Sequence, residues 1–242
     1  MVVSETKNYT ILAWDTNLFG FPVARLHSDC VTMERLGKTV VDMKEEGVQL
    51  AYISIPWSEY WAKAVLDKAG ACMVDRKVLF QKHIPDFVKA PAGVDIWPGH
   101  ECSPELEALA LASGQMSRFF LDPKIPDSVF NKLYVEWIHR SVRGEIADAV
   151  LVVKEAEELA GMVTLALDSD RGKIGLIAVA NRYRGIGIGR RLMTAAEAFC
   201  FAQKSRILQV VTQGENRAAC ALYANCGFEL AEEYAIYHLW IS

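Results

Sequence analysis

A chain of 242 residues, 52% apolar and 23% charged, has the balance of a globular protein with one large core or two small ones. Its net charge of −4 lacks the basic face that nucleic-acid binding draws on, so no nucleic-acid partner is expected. No apolar run approaches the roughly 20 residues of a membrane span, and the start, "MVVSETKNYTILAWD", has no basic segment leading into an apolar run. None of the six cysteines forms a C-x-x-C pair, and no histidine lies at ligand spacing from a cysteine pair. The expectation is a cytoplasmic protein with free thiols and no metal.

In chain order, "YTILAW" and "PVARLHS" read as strands, followed by a helix, "TMERLGKTVVDMKEEG". Next come a strand "VQLAYISIP", a helix "SEYWAKAVLDKAG" and a strand "CMVDRKVLFQKHI". Gly47 and Gly70 stand where C-terminal helix caps are expected. "HIPDFVKAPAGVDIWPG" then brings three prolines and two glycines into one segment. A domain boundary is placed there, giving a smaller N-terminal αβ domain over residues 1–90 and a second domain over 91–242.

The second domain opens with a short strand, "VDIW", and a helix, "SPELEALALAS", with Ser103 as N-cap and Pro104 in the first turn. "PDSVFNKLYVEWIHRSVRG" is a longer helix with Phe130, Leu133, Trp137, Ile138 and Val142 on one face. Residues 148–180 give three strands joined by turns, an antiparallel meander. After a glycine-rich loop come a helix "RRLMTAAEAFCFAQKS", a strand "RILQVVTQ", a helix "NRAACALYANCG" and two strands, "FELAEEY" and "AIYHLWI". The last, being apolar, could pair across a homodimer. "LDKAGACMVDRKVLFQK" and "YANCGFELAEEYAIYHL" both run from a helix end through glycine into strand, a faint internal repeat.

The loop "RYRGIGIGRRL" (182–192) is the stretch best suited to a ligand. A P-loop reading fails because no Lys-Ser or Lys-Thr follows. A Rossmann reading is weak: Arg190 occupies the third glycine position and the loop begins well beyond the preceding strand. Backbone N–H groups over 185–190 would instead converge at a helix N-terminus, where an anion is favoured. Gly187 and Gly189 would admit a bulky diphosphate, and Arg184 and Arg190 would add charge-assisted contacts.

"V-x-x-x-x-R-G-x-G-x-G" (Val179 to Gly189), together with "TQGENRAACALYANCGF", resembles the two signatures of the GCN5-related N-acetyltransferase (GNAT) superfamily. The resemblance implies an α/β fold with a mixed, mostly antiparallel, splayed sheet flanked by helices. It implies acetyl-CoA as acyl donor, held by backbone groups of Ile177, Ala178 and Val179, by Arg184, Gly185, Ile186, Gly187, Ile188, Gly189 and Arg190, and by Asn216. Ala178 or Val179 would offer an N–H to the thioester oxygen. Tyr223 matches the family's general acid, although a tyrosine near pKa 10 facing a thiol near 8.5 gives up its proton uphill by about 1.5 units. The glutamate that many relatives carry on the first splayed strand is missing from "KIGLIAVA". A water relay or an acceptor amine of low pKa would replace it, with His139, Glu136 and Asp15 as weaker candidates.

For the acceptor, two segments stand out: "SGQMSRFFLDPKIPD" and "LAWDTNLFGFPVARL". Aromatic faces with arginine suit a nucleotide-linked sugar. Residues 14–15, 117–119 and 137–144 resemble stretches of acetyltransferases acting on such sugars. That implies transfer to the 4-amino group of a dTDP-linked amino-deoxy sugar in bacterial surface-polysaccharide synthesis, with Trp14, Asp15, Ser117, Arg118, Phe119 and Tyr134 on the substrate. Another small amine, an amino acid or a protein N-terminus is the alternative acceptor, and a non-catalytic acetyl-CoA-binding module is the alternative class.

Overall fold

The structure is a computed structural model that describes residues 7–241. The first six residues, at the head of the stretch read for a signal peptide, lie outside it. No helix among the described residues is long and apolar enough to cross a membrane.

The chain divides into two compact units. One holds the described residues up to Lys77 together with those from Glu233 onward, and the other is Val78–Glu232. Sequence placed a boundary at 90, where proline and glycine collect. The division falls earlier because β4, Cys72–His83, runs unbroken through Lys77 and Val78. The chain also returns to the first unit through the second half of β10, Glu229–Trp240.

In the first unit, β1 (Tyr9–Ile11) leads to α1 (Ala13–Phe19), β2 (Val23–Leu26), α2 (Met33–Glu45), β3 (Leu50–Pro56) and α3 (Tyr60–Lys68). Strands lie in the order β1-β2-β3-β10-β4. β2 and β3 are parallel, from Val23↔Leu50 to Leu26↔Ile53, so α2 must carry the chain back between them. Thr32 caps α2 by accepting the Arg35 N–H at 3.3 Å. Leu36, Thr39 and Met43 recur every three to four residues and face the core. Gly47 and Gly70, at φ +74° and +80°, adopt the left-handed turn after each helix.

One element differs from the sequence reading: "YTILAW" stops being a strand at Ile11. Trp14 and Asp15 sit instead in α1, which Gly20 closes at φ +78° by donating its N–H to the Thr16 carbonyl. The Thr16 hydroxyl then accepts the Val23 N–H at 3.0 Å. That bond returns the chain to β2, so a helical turn occupies what composition suggested was extended.

The second unit contains β5 (Asp95–Ile96), α4 (Pro104–Ser113), α5 (Arg118–Leu121), α6 (Asp127–Val142), β6 (Ala149–Glu155), β7 (Glu158–Asp168) and β8 (Arg171–Val179). Then follow α7 (Ile188–Ala202), β9 (Ile207–Gln213) and α8 (Arg217–Asn225). Its strand order is β10-β4-β9-β8-β7-β6-β5. β6, β7 and β8 form the expected antiparallel meander, and β9 joins β8 in parallel through α7. Ser103 caps α4 through the Leu106 N–H. Phe130, Leu133, Ile138 and Val142 of α6 are buried.

The two units share a topological plan. In each, a parallel strand–helix–strand crossover leads to a helix that ends before a left-handed glycine and a long strand: β2-α2-β3-α3-Gly70-β4 and β8-α7-β9-α8-Gly227-β10. The long strands are exchanged. The last half of β10 pairs with β3, Tyr234↔Pro56 to Trp240↔Leu50, while β4 neighbours β9. The two strands read at the C-terminus are therefore one, and it is interior, flanked by β3 and β4. Backbone groups on both its sides are engaged, which overturns the idea that it could pair across a dimer.

Lys82 of β4 knits the second unit together. Its ammonium lies 2.7 Å from the Glu197 carboxylate of α7 and 2.8 Å from the Cys226 carbonyl at the end of α8. Glu197 is buried, and this pairing is what allows a charge there.

Candidate active site

The site begins where two parallel strands part. The paired register of β8 with β9 runs from Arg171↔Ile207 to Ile174↔Val210 and ends there, although β8 continues to Val179 and β9 to Gln213. A β-bulge coincides with the parting. The β7–β8 register passes from Leu165↔Ile174 to Val163↔Ile177, so Gly175 and Leu176 together oppose Thr164. The Thr164 hydroxyl accepts the Leu176 N–H at 2.8 Å in a buried position. A Cβ on Gly175 would lie 2.8 Å from that same oxygen, so only glycine fits beside the bulge. Thr164 and Gly175 were both missed in the sequence, where a lone glycine inside a strand is the one signal pointing to them.

Beyond the bulge the backbone alternates. The Leu176 N–H turns toward β7, and the Ala180 N–H bonds the Ala160 carbonyl. By the two-residue period of a strand, Ala178 also faces β7, while Ile177 and Val179 turn their polar groups to the open side. This corrects the grouping of three: Ala178 does not present its N–H there, and Val179 does. The Val179 carbonyl accepts from Arg184 Nε at 3.2 Å.

The glycine loop leads from that edge into α7. Gly185 and Gly187 adopt φ of +81° and +91°, with open space where a Cβ would be, so backbone conformation rather than crowding requires them. Gly189 serves otherwise: a Cβ there would meet the Leu222 side chain at 3.1 Å, which makes it a packing contact of α7 with α8. The isoleucines divide too. Ile186 is 66% exposed and Ile188 is 1% exposed, so Ile188 anchors the loop in the core and has only its backbone to offer a ligand.

Charge is distributed unevenly around the loop. Arg182 pairs with Glu158, and Arg191 with Glu155 at 2.8 Å. Arg184 and Arg190 pair with no carboxylate among the described residues. An α-helix N-terminus, left-handed glycines and two guanidiniums with no carboxylate partner among the described residues are the features that would suit an anion, a candidate cradle.

Tyr223 projects from α8 into the core, its ring centroid 5.7 Å from Phe80 and 6.2 Å from Phe228. Its hydroxyl has no hydrogen-bond partner among the described residues. Burial, with smaller contributions from Cys220 and Cys226, pushes its pKa well above the ordinary tyrosine value. The group therefore keeps its proton and acts as a neutral hydrogen-bond donor more readily than as an acid. Asn216 is committed as the N-cap of α8, accepting the Ala219 N–H at 3.2 Å. Its capping role was not expected, and it leaves the amide NH₂ to offer a ligand.

The acceptor candidates fall in both units. Trp14 (exposed) and Asp15 (half-buried) belong to the first unit. Ser117, Arg118, Phe119 and Tyr134 belong to the second, where the long connection contains α5. Ser117 is buried and its hydroxyl has no hydrogen-bond partner among the described residues, an orphan donor of the kind that sites use. The Arg118 guanidinium lies over the Phe119 ring at 4.7 Å. Tyr134 is packed between Phe130 and Trp137, and a Cβ on Gly114 would lie 2.3 Å from its ring. Gly114, also missed in the sequence, is what lets α4 approach that tyrosine.

Among the base candidates, His139 is hydrogen-bonded to Glu107 at 2.6 Å, and Glu136 lies 3.5 Å from Arg143. All six cysteines are free.

Residues 116–228, within the second unit, match the Acetyltransferase (GNAT) family. The chain is 26% identical over 204 residues to the spore coat polysaccharide biosynthesis protein SpsD of Bacillus subtilis, covering 84% of this chain and 70% of that one. It is 33% identical over 126 residues to a dTDP-fucosamine acetyltransferase of Escherichia coli, covering 51% of this chain and 53% of that one, so it matches about half of that relative's length. Among solved structures, a GCN5-related N-acetyltransferase from Sphaerobacter thermophilus superposes with a TM-score of 0.64 at 17% identity, covering 96% of this chain and 76% of that one. At that identity the likeness shows the fold.

Proposed function

We propose that residues 116–228, which match the Acetyltransferase (GNAT) family, form an acetyltransferase domain that moves the acetyl group of acetyl-CoA to the 4-amino group of a dTDP-linked amino-deoxy sugar. The observation that carries the donor side is the parting of β8 from β9 directly ahead of the glycine cradle. An open strand edge suits an extended, amide-containing arm such as pantetheine, which can add to it like another strand. The cradle with Arg184 and Arg190 suits the pyrophosphate. Arg184 then leaves the Val179 carbonyl for the phosphate, freeing that carbonyl for the arm.

In this reading the neutral amine nitrogen attacks the acetyl carbon, the C–S bond breaks as the amide C–N bond forms, and the proton shed by nitrogen passes through solvent to the thiolate, which leaves as CoA thiol. The Val179 N–H stands ready for the thioester oxygen as it gains charge, and the Tyr223 hydroxyl donates a hydrogen bond to the departing sulfur. Residues 171–179 carry no carboxylate, so the acceptor supplies a neutral amine itself. An amine with nearby electron-withdrawing oxygens, its pKa lowered toward an α-amino value near 8, is suited to this.

The acceptor assignment is supported by the names of two relatives, one a polysaccharide biosynthesis protein and one a dTDP-fucosamine acetyltransferase. The unpartnered Ser117 hydroxyl and the stacked Arg118 are consistent with a polar, base-bearing ligand. A cytoplasmic location accompanies this reading, because both substrates are cytoplasmic metabolites. A CoA-thiol release assay tests it, with acetyl-CoA and a panel of a dTDP-4-amino-4,6-dideoxyhexose, free amino sugars, amino acids and a peptide N-terminus. Release is expected with the nucleotide sugar and should rise with pH through about 8. Release only with non-nucleotide amines overturns the acceptor, and tight acetyl-CoA binding with no release at all overturns the enzyme.

A further inference from the structure

Away from the glycine cradle, three donors of mixed chemistry converge in the second unit: Cys102 Sγ, a Glu107 carboxylate oxygen and a His139 ring nitrogen, all within 4.8 Å of one another. They come from distant places in the sequence. Cys102 precedes the N-cap of α4, Glu107 lies in the first turn of that helix and His139 in the last turn of α6. The helix ends are held by their own bonds. Ser103 caps α4 through Leu106, and the Trp97 indole N–H donates to the Glu101 carbonyl at 2.9 Å. All three donors are half-buried, sheltered but reachable.

Two other uses of this group fit less well. A thiol nucleophile needs a histidine free to take its proton, yet the His139 ring nitrogen is bonded to Glu107 and the Cys102 thiol is directed at the Ser103 carbonyl at 3.7 Å. A plain histidine–carboxylate pair explains the 2.6 Å contact between Glu107 and His139, but it gives no part to the sulfur beside them.

We propose that Cys102, Glu107 and His139 form a zinc(II) site that staples the start of α4 to the end of α6. One sulfur, one nitrogen and one oxygen donor are the set that favours zinc over calcium or magnesium, and three protein ligands leave the fourth position to solvent. At usual zinc distances, nitrogen and oxygen in a tetrahedral site stand about 3.3 Å apart, and sulfur about 3.6 Å from either. Closing on a metal therefore asks only for shifts on the order of 1 Å of flexible side chains. The Cys102 thiol proton leaves to solvent as the metal enters, and the His139 nitrogen facing Glu107 binds as neutral imidazole, with the ring proton on its other nitrogen. The staple would fix the helices on either side of Ser117 and Arg118, the segment assigned to the acceptor. It stands whether or not that acceptor assignment holds.

The test uses the full chain, stripped with chelator and titrated with cobalt(II) and then zinc(II). One cobalt per chain is expected, with a thiolate-to-cobalt charge-transfer absorption that zinc displaces. C102S should abolish that absorption, H139A should weaken zinc affinity at least tenfold, and C72S, at an exposed thiol in the other unit, should match the parent. Zinc should raise the thermal midpoint of the parent and not that of C102S, whose circular dichroism checks that it folds. No uptake at micromolar metal, or the same absorption retained in C102S, overturns the proposal.

Discussion

Tyr223 is the side chain proposed to donate to the departing sulfur, and its surroundings argue for a restricted role. Its ring is packed between Phe80 and Phe228 while its hydroxyl has no partner among the described residues. Tyr223→Phe removes that hydroxyl and leaves the packing, so turnover is expected to fall about 10²-fold with acetyl-CoA affinity and thermal midpoint nearly unchanged. Single-turnover thiol release and donor titration separate these; an equal loss of donor binding would make the tyrosine structural. Its raised pKa also fixes a sign. The folded state holds the proton more tightly than the unfolded chain, so this stabilisation is complete below the unfolded value of about 10 and is lost as pH rises beyond it. Any alkaline limb in the rate profile below pH 10 therefore belongs to another group and should survive in Tyr223→Phe.

At the scale of the element, the bulge in β8 controls where the sheet opens. Thr164 satisfies the Leu176 N–H in a buried position, so Thr164→Val keeps the shape and orphans one donor. A loss of about 1–3 kcal/mol is expected, roughly 2–4 °C of thermal midpoint for each kcal/mol in a unit of this size, with weaker acetyl-CoA binding beside it. Calorimetry with and without the donor reads both. Unchanged stability would mean that another group takes over the Leu176 N–H.

For the molecule as a whole, the exchange of β4 and β10 makes the C-terminal strand part of the first unit's core. Ala235, Ile236, Tyr237 and Leu239 are all buried, and residues 234–240 pair with β3 over its full length. A chain ending at Tyr234 would expose the edge of β3 and the apolar face behind it, a template for association. It should aggregate in sedimentation velocity runs where the full chain does not, and a monodisperse truncated chain would show the strand to be dispensable.

Apart from α1, α5 and the undivided β10, the order of elements was legible in the sequence, as were the helix caps at Ser103, Gly47 and Gly70 and the glycine loop, because each rests on local rules of periodicity, capping and backbone freedom. The two signature stretches, "RGIGIG" and "NRAACALYANCGF", were legible for the same reason. Tertiary structure alone decided which strands exchange, since β10 is one strand or two depending on partners that lie far away in the chain. It also decided the roles within the loop: Gly185 and Gly187 are needed for their backbone angles, Gly189 for Leu222, and Ile188 for the core. The bulge at Gly175, the cap made by Asn216 and the meeting of Cys102, Glu107 and His139 were hidden likewise. Each is a contact between residues whose separation along the chain, or choice among several competing partners, carries no local signal until the sheet and its helices are packed.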